Sequence, residues 1–138
     1  MTDRAQRETS VGMTDRAQGR TPVELTRSAT AQLDELPPID CSCGTTRRAF
    51  VDDPDRVASM HLLHVSEAVT HHHERTTELY LVLEGEGYVE LDGVRHPARP
   101  MSAFLIKPGC RHRAVGDLRA IVVALPAADP TDEVLHDD

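Results

Sequence analysis

From Cys41 onward, short apolar and β-branched runs alternate with glycine, proline and aspartate, and this pattern limits the fold more than any other feature of the sequence. The breaks recur at intervals of roughly ten residues, a pattern typical of all-β sandwiches and barrels. The sequence therefore predicts one small closed all-β domain. Its eight expected strands are Thr45–Val51, Val57–Val65, Leu79–Leu83, Gly87–Leu91, Val94–Ala98, Ala103–Ile106, Arg113–Val115 and Ala120–Leu125.

Two connections between these strands carry turn signals. Asp92-Gly93 separates two runs of alternating polarity, and the type I′ turn that joins such strands needs positive φ at both central positions. We therefore expect a hairpin there. Gly85-Glu86-Gly87 lacks the third glycine and the following helix of a dinucleotide-binding loop, so we interpret it as a strand-to-strand turn.

The run Leu79–Leu83 is apolar on both faces, which is typical of a central strand covered on both sides. One face would line the domain interior. A second copy of the chain would cover the other, so we expect a homodimer.

The chain outside the β-domain divides into three segments. Residues 1–20 repeat Met-Thr-Asp-Arg-Ala-Gln and hold few apolar side chains, so we expect a disordered leader. Thr21 to Glu24 match a helix capping box, and Pro37-Pro38 would end the helix, which predicts a short helical arm over residues 21–38. The β-domain would span 39–126, and the acidic residues 127–138 would form a solvated tail.

Composition excludes several partners. The net charge is -8 and the basic residues form no stripe, so nucleic acid is not an expected partner. Since no apolar run reaches the length of a membrane helix and no secretory signal opens the chain, we expect a cytoplasmic protein without a membrane partner. Three cysteines, two of them one residue apart, also fit reduced thiols better than a disulfide framework.

Histidines and one glutamate form the pattern with the clearest chemistry. In an extended segment alternate residues share a side, so His71 and His73 can face one point while His72 faces away. Glu78 follows at the start of the apolar strand, where an inward carboxylate is costly unless it is paired or bound to a metal. A solvated polar loop is the alternative interpretation of the three consecutive histidines.

The motif His71-x-His73-x4-Glu78-x6-Gly85 resembles the first motif of the cupin superfamily, and Pro108-Gly109-x2-His112 resembles the end of the second. The resemblance covers about residues 57–125. It implies a small jelly-roll barrel in which His71, His73, Glu78 and His112 bind one divalent metal. The chain departs from the family pattern at positions that are not ligands, with Met101 and Lys107 where glycine and proline are usual and Gly116 where asparagine is usual.

Three imidazoles and one carboxylate suit borderline divalent ions, namely Mn, Fe, Ni, Cu or Zn, and do not suit Ca. In a six-coordinate ion this set leaves two positions open, as in catalytic sites. Metal binding would also weaken at low pH because the ligands must lose their protons.

Two further residues are candidates for a catalytic role. Tyr80 lies two residues after Glu78 and shares its face, so its hydroxyl would either hold a bound ligand or simply fill the barrel. At most one of His61 and His64 can face inward, and His61 is our candidate acid or base, with a hydrogen-bonded structural histidine as the alternative. Cys41 and Cys43 have the wrong spacing for a zinc knuckle and are interpreted as small strand residues.

These features lead us to expect a metal-binding protein that acts on a small molecule. A metal-dependent dioxygenase-type enzyme is the first hypothesis. A metal-dependent isomerase or lyase is the second, and a non-catalytic protein that binds a sugar or another metabolite is the third.

Overall fold

The computed structural model describes residues 27–137, which fold into a single curled antiparallel sheet of the kind expected for a jelly roll. The all-β prediction is confirmed. The strands are β1 (Ile39–Cys41), β2 (Gly44–Ala49), β3 (Ser59–Val65), β4 (His71–His73), β5 (Thr77–Leu91), β6 (Val94–Ala98), β7 (Ala103–Ile106), β8 (His112–Leu125) and β9 (Glu133–Leu135). No helix within residues 27–137 has both the length and the apolar character needed to cross a membrane.

Strand β8 organises the sheet. It pairs with β5 along most of its length, and its other edge pairs with β3 and, at His112, with β4. Strand β4 in turn pairs with β9, and β5 carries β6 and β7 on its other edge. The concave face of this curled sheet holds a core of small and branched apolar side chains, which includes Leu63, Val82, Val89, Ile106, Leu118 and Val122.

The outer face of β5 stays apolar and exposed, as its sequence predicted. Leu79 is 43% exposed, and Leu105 on the paired strand β7 is 57% exposed. Tyr80 and Val82 alternate with these residues and are buried on the inner face. That a second copy of the chain covers the outer face stays a prediction.

The Asp92-Gly93 hairpin is confirmed. Leu91 pairs with Val94, and the two residues between them have φ of 49° and 84°. Both central positions are therefore in the left-handed region that a type I′ turn requires.

The prediction of a turn at Gly85-Glu86-Gly87 is wrong, because β5 continues without a break from Thr77 to Leu91. A Cβ atom on Gly85 or Gly87 would overlap the carbonyl oxygens of Asp117 and Val115 on β8. The glycines thus permit a close approach of two backbones, and the strand absorbs its curvature at a register shift between Val82 and Glu84. The two short strands expected after His112 are likewise one strand, β8.

Within residues 27–38 of the predicted helical arm, the structure has one 3-10 turn, at Leu33–Glu35, and no longer helix. None of the residues of this turn is buried, so it lacks the buried apolar face that stabilises most short helices in proteins. The expected leader and the capping box at Thr21 to Glu24 lie outside the described residues.

The prediction of a solvated C-terminal tail is wrong for most of its length. Ala127 is buried, and β9 adds a strand beside β4. Asp132, which is 1% exposed, accepts hydrogen bonds from the backbone N–H groups of Arg75 and Thr76 and from the Thr76 hydroxyl at 2.7 to 3.1 Å. Burial alone would raise the pKa of Asp132, but these hydrogen bonds outweigh it and lower the pKa. Asp132 therefore anchors the C-terminal segment to the backbone between β4 and β5, a role that the acidic composition of the segment did not indicate.

Replacing Asp132 with alanine should lower the free energy of unfolding by about 3 kcal/mol, because it leaves several buried donors without an acceptor. Urea denaturation measures the change. Asp137→Ala, the same substitution at an exposed position of the tail, is the control and should change stability by less than about 0.5 kcal/mol. Equal losses in the two variants would show that Asp132 does not anchor the tail.

Met101 occupies the position at which the resemblance calls for glycine, and its φ is 77°. Its side chain is 76% exposed, so little packing compensates for the strained backbone. Met101→Gly should therefore raise the free energy of unfolding by about 1 kcal/mol. Met101→Ala keeps the Cβ atom and should give no such gain; equal gains from glycine and alanine would refute the backbone explanation.

Candidate metal centre

The four residues that the motif resemblance singled out converge on the inner face of the sheet. His71 and His73 come from β4, Glu78 from the start of β5 and His112 from the start of β8. Each offers one ligand atom, and these atoms lie within 4.8 Å of one another. We refer to these residues as the His3Glu cluster. The pairing of His71 with His112 across β4 and β8 brings together segments that are 41 positions apart in the chain.

Backbone carbonyls hold two of the imidazoles in position. The Nδ1 atom of His71 lies 2.9 Å from the carbonyl oxygen of Val69, and the Nδ1 atom of His112 lies 2.9 Å from that of Cys110. Since a carbonyl only accepts, both Nδ1 atoms carry the proton and donate. The Nε2 lone pairs are then free for a cation, an arrangement typical of metal-binding histidines.

Glu78 is the only carboxylate of the cluster and is 8% exposed. Its Oε1 atom lies 3.0 Å from Nε2 of His112 and 3.2 Å from Nε2 of His73. Burial opposes ionisation of this carboxyl group, but the two imidazoles outweigh that effect and hold its pKa below the ordinary value. Glu78 is therefore ionised at neutral pH.

The donor set fits a divalent cation. The buried Nε2 atom of His73 makes no well-aligned hydrogen bond to any described residue, in spite of its approach to Glu78. Because Nδ1 of His112 already donates to a carbonyl, a favourable contact of its Nε2 atom with the carboxylate at 3.0 Å needs either a second proton or a metal ion between them. A metal ion would satisfy both nitrogens and the carboxylate together.

His72 faces away from the cluster, as the alternation of an extended strand predicts. Its Nδ1 atom lies 2.7 Å from Nε2 of His136, and its Nε2 atom lies 2.8 Å from a carboxylate oxygen of Glu74. The interpretation of the three histidines as a solvated loop does not hold, because His71 is 2% exposed.

A cavity of about 310 Å³ adjoins the His3Glu cluster and is partly open to solvent. It is lined on one side by His71, His73 and Glu78 and elsewhere by residues of β1, β2, β3, β8 and the C-terminal segment. This volume is at the lower end of the range for ligand pockets, so the cavity can hold only a small molecule. We call it the central cavity.

Tyr80 and His61, the two candidate catalytic residues, both line the central cavity. Burial, followed by the charge of Glu78, raises the pKa of Tyr80 well above its ordinary value, so its hydroxyl keeps its proton. Burial, followed by the charge of Arg48, lowers the pKa of His61 to about 4. Nε2 of His61 is 2.8 Å from the Ser59 hydroxyl, a contact that agrees with the structural alternative. A catalytic role for either residue stays a proposal.

The three cysteines are free thiols. Cys41 ends β1 and Cys43 lies in the following turn, so only the first is a strand residue as predicted. The sulfur of Cys43 is 4.0 Å from Nε2 of His71, and both thiols line the central cavity. Their placement next to the cluster could not be read from their spacing.

Sequence reasoning also missed Thr46 and Arg48, which line the same cavity from β2. They are two residues apart in a strand and therefore share a face, and this alternation was the available signal. The alternation does not by itself indicate a buried site, because Arg48 follows Arg47 and two adjacent arginines are typical of an exposed surface.

Comparisons with known proteins agree with the fold and the motif. The family model described as "Cupin domain" matches residues 59–125. No curated protein matches the chain significantly. A crystal structure of a protein from Planctomyces limnophilus is 33% identical, with 78% of this chain and 96% of that chain covered and a TM-score of 0.72.

Two structures with assigned activities are more distant in sequence. The nucleoside dehydratase Pac13 is 17% identical, with 79% of this chain and 91% of that chain covered and a TM-score of 0.69. Variants of this Streptomyces protein are known with uridine. Ectoine synthase from P. lautus is 19% identical, with 80% of this chain and 91% of that chain covered and a TM-score of 0.64. At these identities the likeness establishes the fold alone.

His73→Ala should remove most of the bound metal, because it deletes one ligand of the cluster, with an expected loss of about tenfold or more in affinity for zinc. Elemental analysis after gel filtration, on protein purified without a histidine tag, measures the metal retained. His72→Ala is the matched control, since it deletes the neighbouring imidazole that faces outward. Loss of metal from His72→Ala together with its retention in His73→Ala would overturn the assigned ligand set.

Proposed function

The chain belongs to the cupin family, and on that premise we propose that it is a metal-dependent enzyme acting on a small molecule held in the central cavity. One observation carries the proposal. The four ligand atoms of the His3Glu cluster lie within 4.8 Å of one another beside a cavity large enough for a metabolite. In a purely structural metal site, protein ligands fill every coordination position, whereas this cluster borders an open cavity.

The donor set supports a borderline divalent ion such as Fe, Mn, Ni or Zn. Four protein ligands leave two positions of a six-coordinate ion for substrate atoms. When bound, such an ion supplies Lewis acidity toward a substrate oxygen and, if it is iron, redox chemistry with dioxygen. The chain itself would supply the ligands and the polar groups of the cavity wall that orient the substrate.

The cavity residues fit roles around a bound substrate. Tyr80 keeps its hydroxyl proton at neutral pH and can donate a hydrogen bond to a substrate oxygen or, in the reaction, a proton. His61 is neutral, and with Ser59 as its partner it suits positioning of the substrate better than proton transfer. These assignments make Tyr80 the first catalytic candidate.

Two reaction classes follow from the same site. The first is a dioxygenase-type reaction, which would use the open positions for substrate and dioxygen. The second is a non-redox isomerase or lyase reaction, and the likeness to a nucleoside dehydratase favours it as the second candidate. A cupin that binds a metabolite without converting it is the non-enzymatic alternative.

Metal analysis combined with oxygen uptake distinguishes these functions. The protein should be purified without added metal and without a nickel column, analysed for its elements, and assayed with a panel of small oxygenated metabolites in an oxygen electrode and by NMR. Iron with substrate-dependent oxygen uptake would establish the first class. Zinc, nickel or manganese with turnover but no oxygen uptake would establish the second.

Tyr80→Phe should lower turnover by about tenfold to a hundredfold without lowering metal content, because the hydroxyl does not belong to the ligand set. Tyr88→Phe, on the β5–β6 hairpin, is the matched control and should leave turnover unchanged. The proposal of an enzyme would be contradicted if the protein binds metabolites without turnover whichever metal is loaded, or if it retains no metal.

A further inference from the structure

Besides Nε2 of His73, two polar atoms in the wall of the central cavity have no hydrogen-bond partner among the described residues. The Nε atom of Arg48 and the Oγ1 atom of Thr46 are buried, and neither forms a hydrogen bond with any residue in the described range 27–137. Both residues line the central cavity from β2. Buried donors without partners are rare in folded proteins, and each needs an explanation such as an absent ligand.

The charge of Arg48 also lacks a fixed counter-ion. No carboxylate among the described residues forms a salt bridge with its guanidinium, although four acidic residues line the same cavity. Two of them are engaged elsewhere: Glu78 contacts the imidazoles of the cluster, and Asp129 contacts Thr131 and Arg75. Asp40 and Glu133, the other two, form no salt bridge with Arg48 either, so this half-buried cation lines the cavity with no described carboxylate within salt-bridge distance.

The thiol of Cys41, which lines the same cavity, is a further group that could neutralise Arg48. A hydrogen bond from the Cys43 thiol is the main cause that lowers the pKa of Cys41 to about 6, and the charge of Arg48 is the smallest contribution. The thiolate is therefore stabilised by its neighbour rather than by a close ion pair. Arg48 remains available to a ligand.

We propose that Arg48 and Thr46 form an anion subsite that binds the carboxylate of the substrate, so that the substrate of the proposed enzyme is a small carboxylic acid. This inference rests on the proposed function, because it assumes that the rest of the substrate reaches the His3Glu cluster across the same cavity. The guanidinium Nε–H and the threonine hydroxyl would each donate to the carboxylate.

The surrounding charges favour a carboxylate over a phosphate. One guanidinium matches a single negative charge, whereas a phosphate dianion usually needs several cations or backbone N–H groups. The other charged residues of the wall are acidic, namely Asp40, Glu78, Asp129 and Glu133, and they would repel a second negative charge. The small volume of the cavity also limits the acid to a few carbon atoms beyond its carboxylate.

Binding of propanoate, followed by NMR titration of the full chain, tests the subsite without knowledge of the substrate. Propanoate should bind both to metal-free and to zinc-loaded protein, and propanamide, its neutral analogue, should bind about tenfold more weakly or worse. Inorganic phosphate is the third probe and should bind more weakly than propanoate. Tighter binding of phosphate would overturn the assignment of a carboxylate.

The variants separate the subsite from general electrostatics. Arg48→Gln should weaken propanoate binding by about tenfold or more in the metal-free protein, whereas Arg95→Gln makes the same charge change on an exposed hairpin and should stay within about twofold of wild type. Thr46→Val should weaken binding while leaving thermal stability equal or higher, because it removes an unpaired hydroxyl. Equal effects of Arg48→Gln and Arg95→Gln, or no propanoate binding to wild type, would overturn the proposal.

Zinc content distinguishes a failure of this inference from a failure of the proposed function. If wild type and Arg48→Gln both retain zinc but propanoate binding does not depend on Arg48, the metal site stands and the anion subsite falls. If propanoate binding depends on Arg48 but no variant retains metal, the subsite stands and the metal-dependent function falls.

Discussion

A buried carboxylate held among imidazoles is the interaction on which the rest of this structure depends. Glu78 is ionised inside the curled sheet, within 3.0 to 3.2 Å of the Nε2 atoms of His112 and His73. An isolated charge in this place would be strongly destabilising, because a carboxylate loses its hydration on burial. Protons donated by the imidazole nitrogens offset part of that cost, and a divalent cation in their place would bind the carboxylate and the nitrogens together. The same atoms that make the site costly to build make it suited to a metal.

The architecture around the site explains how so short a chain holds these groups in register. Strand β4 has only three residues and would be marginal by itself, but β8 pairs with it on one edge and β9 on the other. Strand β9 is in turn attached through Asp132 to the backbone between β4 and β5. The C-terminal segment therefore supports the two histidines of β4 that belong to the His3Glu cluster, although none of its own residues is part of that cluster.

Local alternation made much of this predictable. The hairpin at Asp92-Gly93 follows from its turn residues. The opposite orientation of His72 and His73 and the inward placement of Tyr80 follow from the two-residue period of a strand. The continuation of β5 through Gly85 and the pairing of β9 with β4 could not be predicted in this way, because both depend on backbones that approach from distant parts of the chain. Residues 27–38 of the predicted helical arm form one 3-10 turn and no longer helix, because helical spacing of apolar residues is not enough without a buried face to pack. Arg48 was missed because an unpaired charge can be recognised only when its surroundings are known.

Crystallography of the protein loaded with zinc, with anomalous data at the zinc edge, tests the central claim most directly. We expect one strong anomalous peak bonded to Nε2 of His71, His73 and His112 and to a carboxylate oxygen of Glu78, with Nδ1 of His71 and His112 still directed at backbone carbonyls. A peak bound elsewhere, for example between His72 and His136 on the outer side of β4, with the His3Glu cluster free of metal, would contradict it.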